Sequence, residues 1–594
     1  MAQARWDAIH DGRPEGRGTP HLSNVLPTWL RAGPRGGARS WGADVAVAGA
    51  LVVAFYLVLL LATSGLGRGA GATITLRYRA LPLYALYSTA RMAAAYVLSL
   101  VFSLVYAYVA AFNRTAERVL VPLLDILQSI PILSFLPTVV LALTNVFPHS
   151  SLGAEIASVV LVFTSQAWNL TFSFYNSLLT VPRELREVAH LYRLSWWQRF
   201  RQLELPYAAV GLVWNSMMSW AGGWFFLMAA EMFTLGHRSF QVPGLGSYLQ
   251  RAAASGDTPA VAAGILTLVA VIVALDQLVW RPLIAWADRF KIELVGGQTP
   301  PRSSVLRLLR RSSIVDWANR RIVLPLMEAI DGGLSTAGQP AERRGMGEPG
   351  RRIAYLALLC AVAVLAAAAL WHAGTLLLRI PGGQAVSLPL AAGLTTLRVA
   401  AALAISALWT VPVGVFIGTN RVWADRLQPV VQILASIPAS ALFPVIVVWL
   451  GGGLGLTSVL LMLLGTQWYV LFNVIAGAMA LPQDLKEATA LFGLGRMERW
   501  RTLILPGIFP YLVTGLITAA GGAWNAAIIT EYVRAGNQTY TAFGLGSLIA
   551  QASQHAQYPL LLGSTLALSA LVVGINRLFW RRLFRLAANR YTLL

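Results

Sequence analysis

The chain has 594 residues, of which 57% are hydrophobic and 12% charged, and its mean hydropathy is +0.62. That balance excludes an ordinary soluble protein of this size and makes the bilayer the relevant solvent. The formal net charge of +21 does not require nucleic acid, because an excess of Arg in loops and tails follows the positive-inside rule. The single cysteine, Cys360, lies in an apolar run, so no disulfide framework and no Cys-based metal site is expected. The histidines, His190 among them, show no metal-ligand spacing.

In chain order, residues 1–43 are polar and rich in Gly, Pro and Arg, and read as a disordered cytosolic tail. The first apolar run, Val45–Thr63, is long enough to span and has no small-residue cleavage site after it. A first membrane domain, 44–285, follows, with spans near 44–64, 87–112, 120–146, 154–178, 207–233 and 259–284. An Arg-rich cytosolic linker covers 286–352, and its stretch Val305–Ile330 reads as a surface amphipathic helix. The second membrane domain, 353–582, has spans near 353–373, 395–418, 428–450, 455–479, 508–533 and 558–582, before a cytosolic tail at 583–594. Arg concentrates at 113–119, 180–205, 419–427 and 480–506, whereas the loops near 147–153 and 451–455 carry little charge. Both termini are therefore expected on the cytosolic side.

The two membrane domains are copies. Residues 184–206, ELREVAHLYRLSWWQRFRQLELP, match 484–506, DLKEATALFGLGRMERWRTLILP, at an offset of 300. Trp168 aligns with Trp468, Trp224 with Trp524, Glu231 with Glu531, and Gly244-Leu-Gly-Ser247 with Gly544-Leu-Gly-Ser547. Gln128-Ser-Ile-Pro131 matches Ala435-Ser-Ile-Pro438 at an offset of 307, so the first half has seven extra residues around 147–155. An even number of spans per half implies a parallel repeat about an axis along the membrane normal.

Each repeated segment reads as a helix–turn–helix. Glu187, Leu191 and Leu194 share one helical face, as do Glu487, Leu491 and Leu494. Gly493 and Gly495 break the second copy, where the first has Arg193 and Ser195. Held between two spans, such an element can transmit a push from a soluble partner. One amphipathic connector alone would be unremarkable; two at a constant offset, both on the side expected to be cytosolic, are not.

Glu487-Ala488-Thr489, Gly493 and Ile504-Leu505-Pro506 resemble the EAA loop of ATP-binding-cassette (ABC) importer permeases with the MetI-like fold. The first copy, with Glu187, Ala189, Arg193, Leu205 and Pro206, departs at Val188 and Arg193, which puts its turn geometry in question. Ser436-Ile-Pro438 and Ala523-Trp-Asn525 look most like the nitrate, taurine, sulfonate and bicarbonate branch. The resemblance implies an all-α polytopic protein of about twelve membrane helices in two six-helix repeats, in a bacterial inner membrane. It implies coupling loops at 183–206 and 483–506 that dock on two cytosolic ATPase subunits. It also implies a periplasmic or lipid-anchored substrate-binding protein and a small anion as substrate.

A P-loop needs Gly-Lys-Ser/Thr, and the only lysines are Lys291 and Lys486 in other contexts. The chain is therefore not expected to be an enzyme or to bind a cofactor; ATP and Mg belong to the partner ATPases. Polar and indole groups inside spans are pathway candidates. They are Gln128, Ser129, Trp168, Asn169 and Trp224 in the first half, and Gln432, Ser436, Trp468, Asn473, Trp524 and Asn525 in the second. For a single Asn or Gln, helix–helix hydrogen bonding is the simpler reading. Ser129 and Ser436 stand out, because the following Ile-Pro marks a kink.

Glu231 and Glu531 are expected at the membrane edge, paired with Arg238 and Arg534. The Gly-Leu-Gly-Ser segments read as turns before the sixth span, suited to docking a binding protein. One rival is an ion-coupled secondary transporter, which needs buried mid-span charge, not evident from the spans. A permease for another small solute and a non-transport membrane scaffold are the others.

Overall fold

The computed structural model describes residues 41–49, 74–146, 152–235, 238–290, 303–329, 370–437, 439–450, 454–481, 483–535 and 538–590, with isolated positions between 360 and 368. Most of the tail 1–43, most of the spans expected at 44–64 and 353–373, parts of the linker, and Pro438 lie outside them.

The first half opens with α1, Leu81–Phe112. Its 32 residues reach about 48 Å, more than the ~30 Å hydrocarbon core. Pro82 in the first turn suits a helix start, so α1 begins earlier than the expected 87. Two shorter helices follow, α2 Arg114–Ser129 and α3 Ile132–Val146. The Asn113 side chain caps α2 by accepting from the backbone N–H of Thr115 and Ala116. Then come α4 Leu152–Leu179 and α5 Arg183–Leu191. The turn Trp196–Arg199 runs through a π-helical segment, Phe200–Glu204, into α6, Leu205–Glu231.

A hairpin comes next, β1 Met232–Leu235 with β2 Arg238–Gln241, in the register Met232 opposite Gln241. The half ends with α7 Leu245–Ala254, α8 Thr258–Leu275 and, beyond a π segment at Asp276–Trp280, α9 Arg281–Ala287. In the linker, α10 is Ser304–Arg311 and α11 Ser313–Ala318.

The second half repeats this order. It has α12 Gly382–Thr419, α13 Arg421–Ser436, α14 Ala439–Leu450, α15 Leu454–Ala480 and α16 Gln483–Leu491. A π segment at Trp500–Ile504 leads into α17 Leu505–Thr530. The hairpin β3 Tyr532–Ala535 with β4 Gln538–Thr541 precedes α18 Leu545–Gln554, α19 Tyr558–Ile575 and α20 Arg581–Arg590. The second π segment recurs at Asn576–Trp580. Among the described residues, seven helices are long and apolar enough to cross a membrane.

The spans expected at 120–146 and 428–450 are not single helices. Each is broken into two, α2 with α3 and α13 with α14, and neither piece is long enough to cross at 1.5 Å per residue. At the break Ile130 has φ −77° and ψ 124°, the extended conformation that a following proline imposes, and Ile437 matches it at φ −73° and ψ 116°.

Small residues bring α1 against α4. Ala95, Ser99, Ser103 and Ala107 recur every four residues and are all fully buried. Ser99 and Ser103 donate to the Phe163 and Ala167 carbonyls of α4. Ala402, Ser406, Thr410 and Gly414 repeat the stripe on α12 against α15. A Cβ at Gly414 would lie 2.7 Å from Val474 Cγ1, so the close approach depends on having none.

The broken helices pack in their own half and also reach across to the other. The first pair packs on the second half, α3 against α17 and α2 against α19. The second pair packs on the first half, α14 against α6 and α13 against α8. One apolar cluster joins Leu133, Leu136 and Ala157 to Met462, Trp524 and Ile549.

Candidate functional site

Three structural features bear on function: the repeated loops at one end of α6 and α17, a cavity between the halves at the other end, and a buried ion pair in each half beside that cavity.

In the first loop, α5 ends at Leu191 and the chain reverses through Arg193, whose φ is +49°. Leu194 N–H returns to the Ala189 carbonyl at 3.1 Å. The second loop makes the same reversal through Gly493, φ +64°, with Leu494 N–H on the Thr489 carbonyl at 3.2 Å. The question that Arg193 raised about the first turn is thereby answered: the turn is kept, with an L-residue in the left-handed region. Ser195 then caps the next turn by accepting from Gln198 N–H, and at Gly495 the Glu498 carboxylate accepts from the backbone N–H instead.

Ala189 is buried and Glu187 exposed. Ala488, Leu205, Pro206 and Pro506 are half-buried, and Glu487 and Leu505 are exposed. The tips present large apolar side chains to the outside: Leu191 is 80% exposed, Tyr192 74%, Leu491 88% and Phe492 81%.

The first loop is tied down more firmly. Arg186 Nη2 donates to the Leu178 carbonyl at the end of α4, and Tyr207 Oη donates to the Thr180 carbonyl. Buried Glu204 accepts from Arg199 at 2.8 Å. Lys486, Gly507 and Ile504 occupy the equivalent places in the second copy.

At the hairpin end a cavity of about 520 Å³ lies between the halves. Leu133, Met228, Phe443 and Ile528 form its apolar walls, while Gln250, Ser440, Tyr532 and Gln554 supply polar groups. The hydroxyls of Ser440 and Ser553 in this lining are buried and have no hydrogen-bond partner among the described residues. Among the described residues no charged side chain lines it.

None of the sequence-derived pathway candidates whose side chains are described lines this cavity. Trp224 and Trp524 are packed in cores. The Trp168 ring meets Phe102 edge-on with its buried Nε1 unpaired, and Trp468 meets Trp409. Asn473 donates to its own helix at Tyr469. Gln128 and Asn169 are exposed. Asn525 sits between the halves, accepting from Leu133 N–H at 3.4 Å. The side chains of Ser129, Gln432 and Ser436 lie outside the described residues.

Glu231 and Glu531 require a correction. They are fully buried rather than at an interfacial edge, and they pair with Arg91 of α1 and Arg398 of α12; the side chains of Arg238 and Arg534, the expected partners, lie outside the described residues. Arg91 Nη1 donates to Glu231 Oε1 at 2.7 Å, joined by the Ser88 hydroxyl at 2.6 Å. Arg398 Nη1 donates to Glu531 Oε1 at 2.8 Å, joined by Thr395 at 2.9 Å. The helix N-termini complete the cradle, with Gly246 N–H on Glu231 Oε2 and Gly546 N–H on Glu531 Oε2.

The Gly-Leu-Gly-Ser segments, read as turns before the sixth span, open α7 and α18 against these carboxylates. A Cβ at Gly244 or Gly544 would stand 2.3 Å from the carboxylate, so glycine is what lets the backbone close over it. Buried charge within the spans, unseen in the sequence, is therefore present. Arg91 and Arg398 were legible only as a lone Arg in corresponding helices at the 307 offset.

Comparison with known proteins agrees with this duplication. The pattern of the family described as "Binding-protein-dependent transport system inner membrane component" matches residues 99–279 and 410–585, more than half of the chain. Among curated relatives, the taurine transport system permease protein TauC of Escherichia coli is 29% identical over 197 residues, 33% of this chain and 68% of that protein. The nitrate import permease protein NrtB of Synechocystis sp. is 26% identical over 139 residues, 23% of this chain and 50% of that protein. The bicarbonate transport system permease protein CmpB of Synechococcus elongatus is 29% identical over 139 residues, 23% of this chain and 50% of that protein. The chain thus spans between half and about two-thirds of the length of these relatives. With one match in each half, the chain belongs to the family of inner-membrane components of binding-protein-dependent transport systems, as a fused, duplicated member.

Proposed function

We propose that this chain is the permease of an ABC importer, a pseudodimer of about twelve spans in a bacterial inner membrane. In this reading the loops at 183–206 and 483–506 face the cytosol and dock on two ATPase subunits, which bind ATP and Mg. The hairpins face a substrate-binding protein on the opposite side, and substrate passes between the halves. The carrying observation is the pair of loops with the same left-handed reversal, each presenting exposed apolar tips at the end of α6 or α17 away from the shared cavity. Exposed Leu, Tyr and Phe side chains on a firmly based turn are suited to filling grooves on a partner.

The substrate in this reading is a small oxyanion: nitrate, bicarbonate or an organic sulfonate such as taurine. The names of the relatives support that class. A cavity with no charge in its described lining, and with two hydroxyls that have no described partner, suits a small polar solute that must also leave. Glu487→Arg is expected to abolish ATP-driven uptake while the protein still reaches the membrane. Normal uptake and normal ATPase association in that variant would remove the coupling role.

The buried Arg91–Glu231 and Arg398–Glu531 pairs supply the intramembrane charge that a secondary transporter needs. Uptake that survives ATP depletion but collapses with the proton gradient would favour that alternative.

A further inference from the structure

The two buried arginines hold the same post in the two halves, yet their surroundings differ in one respect. Arg91 has a second acidic partner. Its Nε and Nη2 form a two-pronged pair with the Glu155 carboxylate at the start of α4, with Nη2 to Oε1 at 2.8 Å. Nη2 also donates to the Pro243 carbonyl at 2.7 Å. Arg398 repeats only part of this, donating through Nη1 to Glu531 and, at 3.0 Å, to the Phe543 carbonyl. Among the described residues nothing accepts from its Nε or Nη2.

The counterpart of Glu155 at the 300 offset is Gly455, and residues 451–453 before it are all glycine, so that stretch offers no carboxylate. At the hairpin end of the second half, Glu531 is the only acidic residue beside Arg379, Arg398 and Arg534; the other acids after residue 353 are Asp425, Asp484, Glu487 and Glu498. Arg398 is 14% exposed, against 6% for Arg91, so these prongs, without a described acceptor, are recessed yet reachable.

A guanidinium fork matches a planar, two-oxygen anion, and a charge held in partly dehydrated surroundings binds its partner more strongly than one in water. We propose that Arg398 binds a small planar oxyanion, such as nitrate, bicarbonate or a carboxylate, in the place that Glu155 fills in the first half. The first half thus carries its anion covalently, and the second takes one from solution. The place of such a site in transport rests on the reading of the chain as an anion permease, but the binding itself does not.

The test is equilibrium titration of the purified full chain with sodium nitrate and with sodium acetate, at fixed ionic strength. One saturable equivalent is expected. Gly455→Glu should install the missing carboxylate and weaken binding at least tenfold. Gly455→Ala should leave it unchanged, because a Cβ there meets nothing within 4 Å. Glu155→Gly should add a second equivalent. Melting curves of each variant establish that it is folded. Absence of saturable binding to the wild type, or equal binding to wild type and Gly455→Glu, overturns the proposal. A chain that binds nitrate at Arg398 but transports none of the three anions keeps this site and loses the transport reading.

Discussion

Buried charge sets the energetics at the residue scale. Glu231 has no solvent contact, and its carboxylate is met by Arg91, Ser88 and Gly246 N–H. Removing one partner from such a set leaves an uncompensated charge in a medium that solvates it poorly. Because Arg91 keeps Glu155 and Arg398 has no such reserve, Glu531→Gln is expected to cost about 3 kcal/mol and Glu231→Gln clearly less. Thermal unfolding of the purified chain measures this, and equal losses would show that the second carboxylate contributes nothing. The sequence hid this pairing for a simple reason. The nearest arginines along the chain to Glu231 and Glu531 are Arg238 and Arg534, but the partners come from helices more than a hundred residues away.

The repeated loops show at the element scale how much a short pattern can carry. Their helical faces, the break after Leu191 or Leu491 and the entry into α6 and α17 all follow from residue spacing and the Leu-Pro start. What spacing could not convey is that Arg193 adopts the left-handed conformation of Gly493. The turn is closed by backbone hydrogen bonds on Ala189 and Thr489, so the fold holds the arginine there against its own preference. Arg193→Gly should relieve that strain and stabilise the protein by ~1 kcal/mol, seen as a raised unfolding midpoint. A lower midpoint would mean that the Arg193 side chain contributes more than its backbone costs. The broken helices are the converse case. Residues 120–146 read as one span despite Asp125 and Gln128, and the backbone limit before Pro131 divides them into two helices.

The cavity belongs to the whole molecule, because both halves wall it and neither has it alone. Its walls meet where the broken helices reach the opposite half, α3 on α17 and α14 on α6. Ile528 is a wall residue from the second half. Ile528→Trp should fill the space and stop uptake, while ATP hydrolysis by the assembled complex persists. Uptake at the wild-type rate would place the pathway elsewhere. The pathway candidates with described side chains do not line this space. Most of those with described side chains are in cores or on their own helices, because a polar side chain in a span finds a nearby carbonyl or indole pocket more readily than a cavity.

The duplication, the membrane setting and the two loops are properties of local pattern: apolar run length, charge placement and a constant offset survive in one dimension. The partners of Glu231 and Glu531, the cradle that requires Gly244 and Gly544, the contacts of the broken helices across the halves and the cavity between the halves do not. Each depends on groups far apart in the chain being packed together, and in a bilayer the terms that select such packing are close contact and the satisfaction of buried polar groups. Neither term leaves a period in the sequence, so these features became visible only with the tertiary structure.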